Sequence, residues 1–147
     1  MKKVRGYIFS RSINNNRVPQ HVQNIVIRDF CNNSDLQYYL SATEYSMKNC
    51  YLILKSVLKE MNKFDGIVFY SINQLPIEKK ERIKIYKKMF KKSKFLFFAV
   101  ENLSIKKIGD IDRIEKIIEV NNVSYKSSIG NDYINIKNFI NDKKTGF

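Results

Sequence analysis

The stretch Gly66-Ile67-Val68-Phe69-Tyr70 decides the fold, because four apolar residues follow one another directly after a glycine. A strand that is apolar on both faces is typical of the centre of a parallel sheet, where helices cover both sides. The run Phe95-Leu96-Phe97-Phe98-Ala99-Val100 has the same character. We therefore predict that residues 66–70 and 95–100 are inner strands of one sheet.

Outside these two runs, the apolar period alternates between two and 3.6 residues, which indicates that strands alternate with helices. The predicted strands are residues 4–9, 36–40, 66–70 and 95–100, and the predicted helices are residues 19–31, 51–61, 79–92 and 105–118. Beyond Asn121 we expect a short strand, a short helix and a basic tail. The pattern predicts an α/β fold, a three-layer sandwich with a mainly parallel central sheet.

The length of 147 residues, with no internal repeat and no Gly/Ser linker, predicts a single α/β domain over residues 1–147. Within it, residues 1–103 form the core, and residues 104–147 hold a C-terminal helix and a less regular tail. A hydrophobic content of 44% excludes disorder of the whole chain. No apolar run is long enough for a transmembrane helix or a secretory signal, so we expect a cytoplasmic protein.

Metal and redox sites find little support in the composition. Cys31 and Cys50 are too few and too far apart for a disulfide framework, and we interpret them as reduced core residues. The single His21 excludes zinc sites built from several imidazoles, whereas a carboxylate site for magnesium stays open. The sequence identifies no metal ligands and no cofactor.

The net charge of +13 suggests an anionic partner such as nucleic acid, phosphate or an acidic membrane. The excess is almost all Lys in a chain rich in Asn and Ile, which is typical of AT-rich codon usage. Seven of the lysines fall on one predicted helix, including Lys84 and Lys88. We interpret them as a solvated face rather than a nucleic-acid groove.

In a parallel sheet, the ligand crevice lies beyond the carboxyl ends of the strands. The loop after the first strand carries Ser10, Arg11 and Arg17, and an Arg binds carboxylate or phosphate in bidentate fashion. An ordinary surface loop would also fit. Gln20 and His21 follow in the first turn of the next helix. Their side chains could point either into the crevice or toward bulk solvent.

Three further loops supply polar groups. Glu44 is the best candidate for a general base, although Ser41 and Glu44 could instead form a capping box. Ser71 and Gln74 could bind a ligand or serve a plain turn, and Glu101 could hold magnesium or orient an Arg. The candidate catalytic residues are Glu44 and Ser10, and the candidate ligand-binding residues are Arg11, Arg17, Gln20, His21, Ser41, Ser71, Gln74 and Glu101. Known nucleotide-binding and hydrolase motifs are absent.

Five stretches between residues 4 and 103 carry a family resemblance: residues 5–11, 17–24, 40–45, 65–71 and 98–101. The most specific is Arg17-Val18-Pro19-Gln20-His21-Val22-Gln23-Asn24. Together they resemble the sporadic carbohydrate cluster protein family, which is found among genes for bacterial surface polysaccharide or glycan biosynthesis. The resemblance implies a pathway and supplies no reaction.

The chain also resembles, more distantly, the catalytic domain of serine recombinases of the resolvase/invertase type. Their first strand carries Tyr-x-Arg-x-Ser, and with Tyr7 aligned, Gln20 is in register with the family's Gln. Phe9 then occupies the Arg position and Arg11 the position of the nucleophile.

The later recombinase run Ser-x-Asp-Arg-Leu-x-Arg matches at Ser71 and Leu75, but Asn73, Gln74 and Ile77 replace its Asp and both Arg. Phosphoryl transfer to a serine needs those guanidinium groups to stabilise charge in the transition state. The resemblance therefore implies a shared fold without the recombinase activity.

The leading interpretation is a protein of bacterial surface-glycan biosynthesis that binds an anionic sugar derivative, such as a nucleotide sugar or sugar acid, at the strand ends. The sequence leaves open whether it is catalytic. The alternatives are a resolvase-like nucleic-acid-binding protein without strand transfer, and a non-catalytic partner subunit of a glycan-pathway enzyme. The expected partners are a small sugar derivative and other proteins of the pathway, in preference to nucleic acid, with no membrane contact.

Overall fold

A computed structural model describes residues 1–122. Its five-stranded sheet has the order β2-β1-β3-β4-β5, in which β1 to β4 are parallel and β5 runs antiparallel to β4. The strands are β1 (Lys2–Phe9), β2 (Leu36–Glu44), β3 (Gly66–Phe69), β4 (Phe95–Phe98) and β5 (Leu103–Ile105). Since β3 and β4 are both interior strands, the predicted α/β class and inner strands are confirmed.

Three helices follow β1, β2 and β3: α1 (Gln20–Asn33), α2 (Leu52–Lys59) and α3 (Lys79–Lys91). Right-handed crossovers in this strand order put α1 on one face of the sheet and α2 and α3 on the other. A short 3₁₀ turn, Ile72–Gln74, lies between β3 and α3. The sheet and α1 to α3 thus form three layers.

The chain divides after Ile111: residues 1–111 form one compact unit, and the described residues 112–122 belong to a second. Residues 108–122 are helical, and within the second unit Ile114 and Ile118 are buried. The single-domain organisation of residues 1–147 stays a prediction, and the elements expected beyond residue 122 lie outside the described residues.

Two predicted boundaries are wrong. β2 extends to Glu44 rather than ending at Leu40, so Ser41 belongs to the strand and not to the loop after it. The last described helix begins at residue 108, because Ile105 belongs to β5 and pairs with Leu96. Both errors concern edge strands, whose half-exposed residues lack the doubly apolar pattern of a central strand.

Each face of the sheet has its own core. On the α1 face, Val4, Ile8, Val68 and Phe97 form one buried cluster with residues of α1, which are Ile27 and Cys31. The opposite face carries a ladder of rings. Tyr7 contacts Phe9 at 5.8 Å and Phe69 at 5.2 Å between centroids, and Phe69 stacks on Phe98 at 5.4 Å.

The pairing of β1 with β2 contains a bulge. Arg5 pairs with Tyr39, whereas Tyr7 pairs with Ala42, so β2 holds one residue more than β1 at this point. Gly6 lies opposite the extra residue, and a Cβ added there would overlap Ser41 Oγ and come within 2.9 Å of the Tyr38 ring. Only glycine therefore fits at position 6.

Candidate functional site

Arg11 organises the loop that follows β2. Its Nη1 donates to the backbone carbonyls of Tyr45 at 3.0 Å, Met47 at 3.0 Å and Cys50 at 2.8 Å. The guanidinium carbon lies 4.1 Å from the centre of the Phe9 ring and 5.0 Å from that of Tyr51. Its Nη2 is buried and has no hydrogen-bond partner among residues 1–122. Arg11 thus holds residues 45–50 against the end of β1.

Glu44 is a buried cap of α2. Its Oε1 accepts from the amide of Ile53 at 3.1 Å, and its Oε2 accepts from the amide of Leu54 at 3.0 Å. These amides belong to the first turn of α2, which has no partners for them within the helix. A carboxylate there is also favoured by the helix dipole. With 1% of its surface exposed, Glu44 stabilises the start of α2 rather than facing open solvent.

Two further bonds link Glu44 to β1 and to the residue that follows β1. Tyr7 donates its hydroxyl to Oε2 at 2.8 Å, and Ser10 donates its hydroxyl to the backbone carbonyl of Glu44 at 2.8 Å. Burial raises the pKa of Tyr7, and the neighbouring carboxylate raises it further, so the phenol stays a proton donor. Ser41 takes no part in a capping box, since it lies in β2 with its hydroxyl 2.7 Å from that of Tyr38.

Gln74 and Gln23 link the loop after β3 to β1. Gln74 donates from Nε2 to Oε1 of Gln23 at 2.9 Å and accepts from the amide of Tyr70 at 2.9 Å. Gln23 bonds both backbone groups of Phe9, accepting from its N–H at 3.0 Å and donating to its carbonyl at 2.9 Å. Both side chains are fully buried, so their amides serve the chain itself.

Ser71 and Glu101 connect the loop after β3 to the residues that follow β4. Ser71 donates to Oε1 of Glu101 at 2.6 Å, and Oε2 of Glu101 accepts from the amide of Ile72 at 3.2 Å. Ser71 and Gln74 also form a capping box around the 3₁₀ turn. Glu101 therefore orients backbone and hydroxyl donors of the loop after β3.

The structure brings most of the sequence-derived candidates to one edge of the sheet. Ser10, Arg11 and Glu44 share one network, and Ser71, Gln74 and Glu101 share a second, which reaches β1 through Gln23. Arg17, Gln20 and His21 are exposed near the start of α1. These three side chains belong to neither network, so they are the candidates whose polar groups face solvent.

Sequence reasoning missed Tyr7, Gln23 and Tyr51. Gln23 lies four residues before Ile27 on the buried stripe of α1, so a Gln in an apolar stripe was the available signal. Apolar residues alone predict a different buried face of this helix, with Val22, Ile25, Val26 and Phe30, but Ile25 is 60% exposed. Tyr7 was visible only as an inward residue of β1, and nothing in the sequence pairs it with Glu44.

A cavity of about 640 Å³ lies between α2 and α3, beside the loops that follow β2 and β3. This volume is within the range of roughly 300–1,000 Å³ that is usual for small-molecule sites. None of the sequence-derived candidates lines it. Tyr51 does, and since Tyr51 also contacts Arg11, it joins the Arg11 network to the cavity. Burial raises the pKa of the Tyr51 phenol, against the opposing effect of Arg11.

Residues 1–122 contain neither a metal-binding cluster nor a membrane-spanning helix. That part of the chain holds no group of three or more His, Cys, Asp or Glu side chains arranged to bind a metal ion. Nor does it contain a helix of the length and hydropathy that crossing a bilayer requires.

Comparisons with known proteins agree on the fold alone. No family model matches the chain, and no curated protein sequence matches it. The crystal structure of the N-terminal catalytic domain of TP901-1 integrase is similar, with a TM-score of 0.59 and 12% identity over 84% of this chain and 97% of that one. A resolvase family site-specific recombinase from Streptococcus pneumoniae is also similar, with a TM-score of 0.60 and 9% identity over 92% of this chain and 99% of that one. The chain therefore has a resolvase-like fold.

Proposed function

We propose that this protein acts in bacterial surface-glycan biosynthesis, where it binds an anionic sugar derivative at the carboxyl edge of the sheet. It performs no strand transfer on DNA. The pathway rests on the sequence resemblance to the sporadic carbohydrate cluster family over roughly residues 4–103, and no family model matches the chain. The binding role is supported by the cationic groups at this edge, Arg11 and Arg17.

The observation that carries the proposal is the state of Arg11. In the recombinase resemblance, Arg11 stands where the nucleophilic serine would be, and its guanidinium is fixed by three carbonyls. Ser10, the adjacent hydroxyl, donates to the backbone carbonyl of Glu44 and not to a basic side chain. A guanidinium is always protonated and cannot act as a nucleophile, so this position does not support attack on a phosphodiester.

Arg17 offers the cleaner test, because Arg11 also holds residues 45–50. A thermal-shift screen would compare nucleotide sugars, sugar phosphates, sugar acids and a short DNA duplex on the wild type and on Arg17→Gln. A bound sugar derivative at about 100 times its Kd should add about 2.7 kcal/mol of stability. We expect Arg17→Gln to weaken this response and to leave the unliganded melting temperature unchanged.

The pathway is tested in the source bacterium by deleting the gene and measuring its surface glycan. Loss of glycan that the wild-type gene restores would support the proposal. Normal glycan in the deletion strain, together with a thermal response to DNA only, would overturn it.

A second candidate is nucleic-acid binding without strand transfer. It is favoured by the exposed lysines of α3, together with the net charge of +13. The affinity for nucleic acid should then fall steeply as the salt concentration rises. Substitution of any one of these lysines should lower the affinity by a similar amount. The thermal response to the DNA duplex at two salt concentrations distinguishes it from the first proposal.

A further inference from the structure

We propose that the cavity between α2 and α3 binds the nucleoside diphosphate part of a nucleotide-linked ligand. This inference rests on the proposed function and specifies its ligand. The base would lie on the apolar floor at the Tyr51 end, and the diphosphate would lie between lysines of the two helices.

The floor of the cavity suits a flat apolar group. It is formed by Leu54 and Leu58 of α2, by Tyr51, which immediately precedes α2, and by Ile85 of α3. The Tyr51 ring is held in place by Phe9, at 6.4 Å between centroids, and by Arg11. A ring that is fixed before the ligand arrives loses little entropy when a base stacks on it.

The rim supplies cations from both walls. Lys55 comes from α2, while Lys84 and Lys88 come from α3, where a spacing of four residues puts them on one side of the helix. From the sequence alone, the α3 lysines are predicted to form a solvated face. They are exposed, but Lys84 and Lys88 also line a concave site, which a merely solvated pair would not do.

The polar groups of the rim favour a nucleotide over a fatty acyl anion. Asn49 and Glu78 line the cavity along with Tyr51, and an amide and a carboxylate can bind ribose hydroxyls or base N–H groups. An acyl chain would form no hydrogen bonds with them. Lys84 is paired with Glu81 at 3.0 Å, and burial of Glu81 is slight, so a diphosphate can compete for this ammonium.

The test is isothermal titration with UDP and with uridine at low salt. We expect UDP to bind and uridine to bind at least about tenfold more weakly, because the charge-assisted contacts are lost. K84Q/K88Q should weaken UDP about tenfold, whereas K87Q/K91Q should change it less than about twofold. The second pair removes the same charge from the same helix without touching the cavity lining.

The inference would be overturned by absence of UDP binding at millimolar concentration, by equal affinities for UDP and uridine, or by equal losses of UDP affinity in the two lysine pairs. The last would indicate a general electrostatic surface. Loss of UDP binding only in Arg17→Gln would also overturn it, and would leave the proposed function standing. Conversely, UDP binding in the cavity with normal glycan in the deletion strain would support the cavity and contradict the glycan role.

Discussion

The hydroxyl of Tyr7 lies 2.8 Å from Oε2 of Glu44, with both side chains buried. The bond joins β1 to β2 at the point where Glu44 caps α2, so a strand–strand contact also positions a helix. A buried carboxylate is stable here because neighbouring donors replace the water that it loses.

Tyr7→Phe removes one of these donors and keeps the ring. We expect the free energy of unfolding to fall by about 1–2 kcal/mol, because a buried carboxylate loses a charge-assisted hydrogen bond. Urea unfolding followed by circular dichroism measures this change. Tyr39→Phe is the control, since the Tyr39 ring packs on Phe64 and this side chain takes no part in the Tyr7–Glu44 bond. Equal losses in the two variants would contradict the role of the Tyr7–Glu44 bond.

The Gln23–Gln74 pair should behave as one unit. Removing either side chain leaves a buried amide of the other without its partner, so the single variants Gln23→Ala and Gln74→Ala should each destabilise the protein. The double variant should lose less free energy of unfolding than the two single variants lose together. The expected coupling energy is about 0.5–3 kcal/mol. A double-mutant cycle from urea unfolding gives this number, and additive losses would show that the two amides act independently.

Arg11→Lys keeps the charge but cannot reach three carbonyls and two rings at once. We expect amide hydrogen exchange in residues 45–50 to become faster by about tenfold or more, because loss of hydrogen bonds of about 1.5–3 kcal/mol promotes local opening. Exchange in β3 should stay unchanged. Arg17→Lys serves as the control, as Arg17 is exposed and lies outside this network.

Burial raises the pKa of the Cys31 thiol from about 9 to about 11. The unfolded chain therefore loses this proton at lower pH than the folded chain. The contribution of the protonated thiol to the free energy of unfolding is complete below pH 9 and is lost as pH rises toward 11. The wild type should lose up to about 1.4 kcal/mol per pH unit more than Cys31→Ala in this window. Urea unfolding at pH 8, 9, 10 and 11 tests the difference, which would stay constant if the thiol did not titrate.

Incubation with supercoiled plasmid should give no covalent protein–DNA adduct. The positions that the recombinase resemblance assigns to the nucleophile and to Arg groups hold Arg11, Phe9, Gln74 and Ile77. Gel electrophoresis after protease-free denaturation detects an adduct as a shifted DNA band. A serine-linked adduct, identified by mass spectrometry, would restore the recombinase interpretation.

The sequence predicted the central strands because β3 and β4 are apolar on both faces, a pattern with few alternatives. It could not delimit β2, whose exposed Leu40 and buried Glu44 reverse the usual order of apolar and polar positions. β5 is only three residues long, and its pairing with β4 depends on a turn at Asn102 rather than on periodicity.

For the candidate site, the rule that parallel strands end at one edge correctly put Ser10, Arg11 and Glu44 near each other. It could not specify their partners. Arg11 donates hydrogen bonds to backbone carbonyls. Since every residue carries a carbonyl, the residue types in the sequence do not predict these partners. The cavity escapes sequence reasoning too, because the space between α2 and α3 depends on how far apart two helices pack.

The bulge opposite Gly6 decides which side of the sheet Glu44 serves. Before it, the even-numbered Leu36 and Tyr38 pack into the α1 cluster. After it, the even-numbered Ala42 and Glu44 pair with Tyr7 and Phe9 and turn toward α2. One extra residue thus shifts the parity of the strand, and removing it would turn the Glu44 carboxylate away from the helix that it caps.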